Sequence, residues 1–521
     1  MNTHKPKKIY LINPKTPCPG YFGAEVFGHF NFPPAIVIGD LTSVTVAALM
    51  SPYFDVTICD EHLTPVDFET DADFVALTGK ITQWQRTKEL AEAFRQRGKV
   101  VIIGGAYASL SHERVRPYCD ILIRGEIDEV ADGIFSEIAQ GNWKDEYIGT
   151  VPDLANSPLP RWDLYPYHRI VAGAIQTSKG CPFLCEFCDV IQFLGRKQRH
   201  KPVARIIEEL DRLYALGLRH TFIVDDNFTA HRRKAKEILA ALKEWNEARE
   251  GHWMTFGTQL SLDAAKDDEL LRMLAQAGLA IVYVGVETPN MESLKGAGKL
   301  QNVGFDLVER IQRFVENGMA VNAGMVIGFD NDTKEIFQAQ YDFAMRIPVP
   351  IFTFGFLNAP DKTPLHDRMR KENRLIEDSS MASSGNPLGT NIIMKNMSQD
   401  EAHAGMKWLI NNLYSPGAFG RRLINLLEHL GPIRYPFSLR DVKARKIYAE
   451  QFFMAHSVMK QMREQSNEDR AVWVDIHKIL RQHPELSTIA LNVLLIYSQS
   501  CYAYRHNGLW DQTLVGQPLV L

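Results

Sequence analysis

The chain has 521 residues, of which 45% are hydrophobic and 23% are charged, and its formal net charge is −4. This length exceeds what one hydrophobic core usually organises, so two or three domains are expected. The slightly negative net charge argues against nucleic-acid binding dominated by electrostatic attraction and favours a small-molecule or lipid substrate.

Several features of the sequence bear on its compartment. The seven cysteines lack the dense, even spacing of a secreted disulfide framework. The first ten residues, MNTHKPKKIY, have no apolar stretch of the kind that an export signal needs. The late apolar run at residues 489–497 contains Asn492 and is about half as long as the roughly 20 residues of a membrane span. We therefore expect a cytoplasmic protein without a transmembrane segment, in which residues 489–497 form a buried helix.

Residues 1–140 are predicted to form a Rossmann-like domain, because short β-rich runs alternate with amphipathic segments. The predicted parallel strands cover residues 8–13, 55–59, 73–78, 99–103 and 121–123. Such a sheet binds its ligand at the carboxyl ends of its strands. The candidate cofactor contacts at these ends are Gly79, Gly104, Gly105, Gly125 and Glu126. Tight turns would also explain the glycines, so both interpretations stay open.

Residues 141–168 are rich in proline and aromatic side chains and are predicted to be a linker. From residue 169 to residue 365 the alternation of strands and helices resumes. The predicted strands cover residues 173–177, 221–224, 254–259, 281–286, 323–327 and 352–357. Six strands with intervening helices favour a partial (β/α)6 barrel in an α/β fold. Residues 366–521 are predicted to be mainly helical, with Ser398 as the N-cap of a helix.

Three cysteines, Cys181, Cys185 and Cys188, follow the first predicted barrel strand in the sequence SKGCPFLCEFCD. They are thus expected in a loop at the carboxyl end of the barrel, where barrel active sites lie. Closely spaced thiolates bind iron-sulfur clusters or zinc, and a structural zinc site needs a fourth ligand. The alternatives are three unligated cysteines or a zinc site completed by the distant His200. The sequence favours a 4Fe-4S cluster held by three thiolates, with one iron left open.

The C-x3-C-x2-C spacing, with Phe187 directly before the last cysteine, resembles the defining motif of the radical S-adenosylmethionine (SAM) superfamily. The resemblance implies that SAM binds the open iron through its amino and carboxylate groups. It further implies that one electron cleaves SAM to a 5′-deoxyadenosyl radical, which removes a hydrogen atom from the substrate. A reductase, a flavodoxin or a ferredoxin is the expected electron donor.

Polar residues and glycines at the ends of the later predicted strands are candidates for contacts with SAM. The second strand ends in two carboxylates, the third in an amide, and the next two in the sequences GVETP and GMVIGFD. With the aromatic residue of the cysteine loop, the candidates are Phe187, Asp225, Asp226, Gln259, Glu287, Thr288 and Gly328. Helix caps and turns use the same residue types, so the individual roles stay open. No acid, base or other catalytic side chain is assigned.

The sheet domain in front of the cysteines suggests a subfamily. The order of the blocks LINP, FPP, DEH, TGK, IGG, RGE, SKGCPFLCEFCD, VDDNF, GVETP and KTPLHD resembles class B radical SAM enzymes, in particular the hopanoid C2-methylase group. This resemblance implies bound cobalamin and C-methylation of an unactivated carbon. The lower-ligand signature Asp-x-His-x-x-Gly is not completed by Asp60-Glu61-His62, which lacks the glycine. The corrinoid is therefore expected to bind without a protein histidine.

Other functions stay open on the sequence alone. The same machinery can carry out ring formation, ring contraction or oxidation, with cobalamin as electron carrier or absent, and the first domain can be a scaffold only. A methylthiolating tRNA enzyme shares the cluster loop, but the flanks of Cys18, Cys59 and Cys119 and the negative net charge oppose it. A non-enzymatic iron-sulfur module would not require the polar residues at the strand ends.

Overall fold

The computed structural model describes residues 6–23, 25–377, 389–435, 441–463 and 467–521. Within these residues the fold is α/β, with two parallel sheets, a small hairpin and a helical C-terminal region, so the predicted fold class is confirmed. The strands are β1 (Lys7–Asn13), β2 (Ile36–Ile38), β3 (Phe54–Asp60), β4 (Phe74–Thr78), β5 (Val100–Gly104), β6 (Ile121–Arg124), β7 (Glu146–Ile148), β8 (Ile170–Ile175), β9 (Ser178–Lys179), β10 (Arg199–His200), β11 (His220–Ile223), β12 (Thr255–Leu260), β13 (Leu279–Glu287), β14 (Ala320–Ile327) and β15 (Ile351–Phe356).

The α-helices cover the faces of the sheets and form the C-terminal region. They are α1 (Glu25–His29), α2 (Leu41–Met50), α3 (Trp84–Gln96), α4 (Ala106–Leu110), α5 (His112–Val115), α6 (Ala131–Gln140), α7 (Val190–Phe193), α8 (Val203–Ala215), α9 (Arg232–Glu247), α10 (Asp268–Ala277), α11 (Met291–Gly296), α12 (Leu307–Glu316), α13 (Ile336–Arg346), α14 (Pro364–Lys371), α15 (Gln399–Tyr414), α16 (Pro416–His429), α17 (Val442–Arg463), α18 (Asn467–Gln482) and α19 (Ser487–His506).

The first sheet has six parallel strands in the order β3-β1-β4-β5-β6-β7. All five strands predicted before residue 140 are present, because each is a buried apolar run between turns. The sixth strand, β7, lies in the predicted linker. Its central Tyr147 is buried while its neighbours are exposed, which is the pattern of a short edge strand. The segment that connects the two sheets therefore begins after residue 148.

The second sheet is a curled parallel half-barrel in the order β15-β14-β13-β12-β11-β8-β2. Six of its strands are the six that the sequence predicts. The seventh, β2, comes from the N-terminal part of the chain, where Ile36 pairs with Ile170 and Ile38 pairs with Ala172. Because β2 lies between β1 and β3 in the sequence, the first 140 residues contribute strands to both sheets.

The C-terminal helices pack on the barrel. Ser398 caps α15 as predicted, since its Oγ accepts a hydrogen bond from the Glu401 amide at 3.2 Å and the Glu401 carboxylate accepts one from the Ser398 amide at 2.9 Å. The segment Pro484–His506 is long and apolar enough to cross a membrane, but 72% of its apolar window is buried within the fold. The predicted buried helix at residues 489–497 is thus confirmed as part of α19.

Candidate functional site

The three cysteines of the motif lie in one loop, between β9 and α7. All three thiols are free, and Cys185 is buried while the other two are partly exposed. Burial raises the pKa of Cys188 to about 12, and the charges of Cys185 and Cys181 add to this effect. Burial also raises the pKa of Cys181, again with a contribution from Cys185. The three thiols therefore lie close together at the carboxyl end of the barrel, and Cys185 is the most buried of them.

Asp225 fixes the entry to the cysteine loop. Its carboxylate accepts hydrogen bonds from the amide of Thr177 at 2.7 Å, the hydroxyl of Thr177 at 2.6 Å, the amide of Ser178 at 3.0 Å and the hydroxyl of Ser178 at 2.6 Å. Four bonds use the lone pairs of a carboxylate. The end of β11 is thereby joined to the end of β8, and this geometry does not support the contact with SAM predicted for Asp225.

Asp226, the next residue, makes a different contact with the cysteine loop. Its Oδ2 accepts one hydrogen bond from the amide of Gly180 at 2.9 Å. Burial raises its pKa to about 6. Its charge acts on the thiol of Cys181, whose pKa it raises further. Asp226 is thus a partly buried carboxylate beside the cysteines, in a position that suits a ligand ammonium group.

A second segment, residues 297–302, holds the loop from the opposite side, and we call it the clamp. The carbonyl of Ala297 accepts a hydrogen bond from the amide of Glu186 at 3.0 Å. The side chain of Gln301 donates to the Sγ atom of Cys185 at 3.3 Å. The clamp was not predicted, because its contacts arise only when the connection between α11 and α12 folds back onto the cysteine loop.

Glu287 and Lys299 form a buried ion pair next to the thiols, with 2.6 Å between Oε1 and Nζ. Burial lowers the pKa of Lys299, but the charges of Glu287 and Cys185 outweigh it and the pKa is raised overall. Glu287 adopts a left-handed backbone conformation with φ of 68°, which is strained for a residue with a side chain. The structure therefore brings the predicted contact Glu287 to the cysteines, together with a cation that the sequence analysis missed.

The remaining barrel candidates have local explanations as well. Thr288 is buried, and its hydroxyl accepts a hydrogen bond from the amide of Asn290 at 3.2 Å, just before α11. Gly328 has φ of 107°, a conformation that favours glycine. The ring of Phe187 packs edge-on against Phe329, with 6.1 Å between the ring centroids. Gln259 is exposed at the end of β12. Their contacts with SAM stay predictions.

The glycines of the first sheet lie at its carboxyl edge. Gly105 and Gly125 have φ of 100° and 78°, so left-handed turns account for both. At Gly104 a Cβ atom would meet its nearest neighbour at 3.5 Å, whereas at Gly105 it would lie 2.9 Å from the Thr78 hydroxyl. The strand order places a topological switch point between β1 and β4, where sheets of this type bind ligands. These glycines therefore bring backbone without side chains to the edge where a sheet of this type binds its ligand.

This edge faces the cysteine loop. Helix α4, which follows Gly105, contacts α7, which follows the last cysteine. Burial raises the pKa of Asp189, and the ammonium group of Lys80 acts against that shift from the first sheet. We call the carboxyl edge of the first sheet, with Gly79, Gly104, Gly105 and Gly125, the glycine edge. Any ligand on the glycine edge would therefore lie close to the three thiols.

Glu126, which follows β6, connects the first sheet to the β9-β10 hairpin. Its carboxylate is 3.0 Å from Nζ of Lys179 and 2.5 Å from Nη2 of Arg199, which lie on the β9-β10 hairpin. Its side chain is only 6% exposed. An ion pair between the two regions explains the carboxylate without a cofactor.

His62 belongs to a buried polar network at the ends of β1 and β3. Its Nδ1 lies 2.9 Å from Oδ1 of Asp60, and its Nε2 accepts a hydrogen bond from the amide of Thr16 at 3.4 Å. Oδ2 of Asp60 accepts hydrogen bonds from the hydroxyl of Tyr165 at 2.5 Å and from the side-chain Nδ2 of Asn13 at 3.1 Å. Both ring nitrogens of His62 thus have protein partners. The role of Tyr165 was missed because it lies in the predicted linker.

The donor set fits an iron-sulfur cluster better than a single ion. Among the residues that the structure describes, no three histidine, cysteine or acidic side chains gather closely enough to hold one metal ion. A tetrahedral zinc site would need such a gathering, with bonds of about 2.3 Å to sulfur. The three free thiols are neighbours without converging on one point, and in a 4Fe-4S cluster each thiolate binds its own iron. The buried Lys299 offsets their negative charge.

Known protein families match the half-barrel and the C-terminal region of the chain. The profile of the Radical SAM superfamily matches residues 175–344, and the profile described as Domain of unknown function (DUF4070) matches residues 363–507. The protein named "Uncharacterized methyltransferase sll1242" of Synechocystis sp. is 34% identical over 66% of this chain and 65% of its own length. The Hopanoid C-2 methylase of Rhodopseudomonas palustris is 27% identical over 88% of this chain and 87% of its own length.

A solved structure shares the fold over nearly the whole chain. The cobalamin-dependent SAM radical enzyme OxsB, with aqua-cobalamin and SAM bound, superposes with a TM-score of 0.59 at 14% identity. The match covers 96% of this chain and 80% of OxsB. The arrangement of a sheet domain, a half-barrel and a helical region is therefore shared with that enzyme.

Proposed function

The chain carries a radical SAM domain, and we propose that it is a cobalamin-dependent radical SAM methyltransferase that acts on an unactivated carbon of a small-molecule or lipid substrate. The observation that carries this proposal is the position of the cysteine loop. Three free thiols lie at the mouth of the half-barrel and face the glycine edge of the first sheet. A cluster on one side and a corrinoid on the other would thus be neighbours.

The chain's own residues have distinct tasks in this proposal. Cys181, Cys185 and Cys188 hold the cluster, and Asp226 accepts the ammonium group of SAM. Asp225 and the clamp keep the loop in place. When bound, cluster and SAM supply a 5′-deoxyadenosyl radical that removes a substrate hydrogen, and the corrinoid supplies the methyl group.

The glycine edge of the first sheet is the proposed corrinoid surface. A Cβ atom at Gly104 would lie 3.5 Å from its nearest neighbour and one at Gly79 would lie 3.2 Å from the Gln83 side chain, and both ring nitrogens of His62 have protein partners. His62 is thus engaged by the protein itself and would not hold the corrinoid. The name of the relative Hopanoid C-2 methylase supports methylation, and its substrate class supports a lipid or another small molecule. We further propose a cytoplasmic reductase, flavodoxin or ferredoxin as the source of the electron.

Anaerobic turnover tests the proposal. The full chain is reconstituted with iron and sulfide and incubated with SAM, a reductant and hydroxocobalamin. We expect 5′-deoxyadenosine, and S-adenosylhomocysteine where SAM also serves as methyl source. Cys185→Ala should reduce 5′-deoxyadenosine to the level of a protein-free sample, because one iron loses its ligand. Cys18→Ala, outside the loop, is the matched control and should retain full production.

Two outcomes would contradict the proposal at different levels. If the reconstituted protein forms no 5′-deoxyadenosine, the radical SAM activity itself is wrong. If 5′-deoxyadenosine forms but no corrinoid stays bound after gel filtration, methylation is wrong. A non-methylating reaction, such as ring formation, ring contraction or oxidation, then replaces it.

A further inference from the structure

One side chain of the clamp touches the cysteine loop at a sulfur atom. Nε2 of Gln301 donates a hydrogen bond to Sγ of Cys185, with 3.3 Å between the two atoms. Cys185 is the buried cysteine of the three. A hydrogen bond in such surroundings is electrostatically stronger than one in water.

The clamp anchors the backbone on both sides of Gln301. Nδ2 of the adjacent Asn302 donates to the carbonyl of Gly285 at 2.9 Å, which anchors the clamp to the end of β13. At the other end Gly298 lies against the loop, where a Cβ atom would come within 2.7 Å of the carbonyl oxygen of Leu184. The backbone on both sides of Gln301 is therefore held against β13 and the cysteine loop.

A fixed donor at a thiolate affects the redox behaviour of a cluster bound there. When the oxidised cluster takes up one electron from its donor protein, its net charge becomes more negative by one. A hydrogen bond to sulfur stabilises the more negative state, and hydrogen bonds of this kind are among the factors that set cluster potentials. The ammonium group of Lys299 acts on the same thiols in the same direction.

We propose that Gln301 is a positioning residue that raises the midpoint potential of the cluster through its hydrogen bond to Cys185. Gln301 acts through the cysteine and contacts neither SAM nor substrate in this role. The inference rests on the proposed function, because it requires a cluster on the three cysteines.

The test is a potentiometric titration of the reconstituted full chain without SAM, read by electron paramagnetic resonance of the reduced cluster. Gln301→Met preserves the side-chain length and removes the donor. At the wild-type midpoint, the ratio of reduced to oxidised cluster should fall about tenfold, which corresponds to about 59 mV for one electron. Gln301→Glu places a carboxylate against the sulfur and should lower the ratio further. Gln192→Leu, at an exposed position on α7, is the control and should keep the wild-type midpoint.

An unchanged midpoint in Gln301→Met at full cluster content would overturn the inference. It is equally overturned if neither Gln301 variant assembles a cluster while Gln192→Leu does, since the amide would then serve assembly. A wild-type protein without a 4Fe-4S signal would instead refute the proposed function. That result is distinguishable from an unchanged midpoint in a loaded variant.

Discussion

The cysteine loop and the glycine edge face each other, yet they are built on opposite principles. Side chains hold the loop in place: Asp225 joins two strands with four hydrogen bonds, and Gln301 contacts a sulfur atom. Backbone conformation shapes the edge, where Gly105 and Gly125 adopt left-handed turns. A small cluster needs specific ligands at fixed positions, whereas a large flat corrinoid needs an open surface. Cluster ligands at fixed positions can be recognised in the sequence as a motif. An open corrinoid surface is recognisable mainly from the topology of the sheet.

The largest expected effect tests whether side chains hold the cysteine loop in place. Asp225→Ala leaves four donors near the loop without their acceptor, so we expect the free energy of unfolding to fall by about 3 to 4 kcal/mol. Iron bound after reconstitution should fall with it. Asp225→Asn is the matched control, because its amide can donate to the two hydroxyls while its oxygen still accepts from the backbone. Urea denaturation and iron analysis measure both variants, and full iron content in Asp225→Ala would contradict the role given to Asp225.

A somewhat smaller effect is expected where the two regions are joined. Glu126→Gln removes the charge that Lys179 and Arg199 share, and should destabilise the protein by about 2 kcal/mol. Asp128→Asn should cost less, since its oxygen is 3.7 Å from Nζ of Lys179. Thermal unfolding compares the two variants. The amount of corrinoid retained per folded chain should stay at the wild-type level. A selective loss of corrinoid in Glu126→Gln would instead support the cofactor contact that the sequence predicts for Glu126.

Two adjacent glycines test whether backbone conformation shapes the glycine edge. Gly105→Ala forces a side chain into a left-handed turn and should lower the free energy of unfolding by about 1 to 3 kcal/mol. Gly104→Ala has more room and should leave the fold intact, but it adds a methyl group to the edge. We expect weaker retention of hydroxocobalamin in Gly104→Ala, measured by absorbance after gel filtration, with unchanged iron content. Equal retention would show that the corrinoid does not lie on this edge.

The smallest effect concerns pH and separates Asp226 from its neighbour Asp225. Because burial raises the pKa of Asp226 to about 6, its carboxylate is charged above this pH and neutral below it. SAM affinity should therefore fall by about tenfold between about pH 7.5 and pH 5, since a neutral acid no longer pairs with the ammonium group. Equilibrium binding to the anaerobic, cluster-loaded protein measures this. Asp226→Asn should bind weakly at every pH, and a pH profile identical to the wild type would refute the assignment.

Most strands and the cysteine loop could be predicted because their signals are local. Buried apolar runs between turns mark the strands of both sheets, and cysteine spacing marks the loop. The three-residue strands β2 and β7 were missed, since a period of two needs a longer run to be visible. The clamp, the pairing of Glu126 and the hydrogen bonds of Asp225 depend on tertiary contacts. Residue type indicated that Asp225 and Glu126 lie near the site, but only the fold shows which partners they have.

The path of β2 has a consequence for how the protein is made. Its partner β8 follows it by on the order of 130 residues, so a ribosome working at roughly 5 to 20 residues per second exposes β2 roughly 7 to 26 s before β8 is synthesised. During this interval the backbone groups of β2 are open to pairing with other chains. We expect nascent chains to need chaperone protection at this stage. Expression of residues 169–521 alone would leave the edge of β8 uncovered, and we expect that fragment to aggregate.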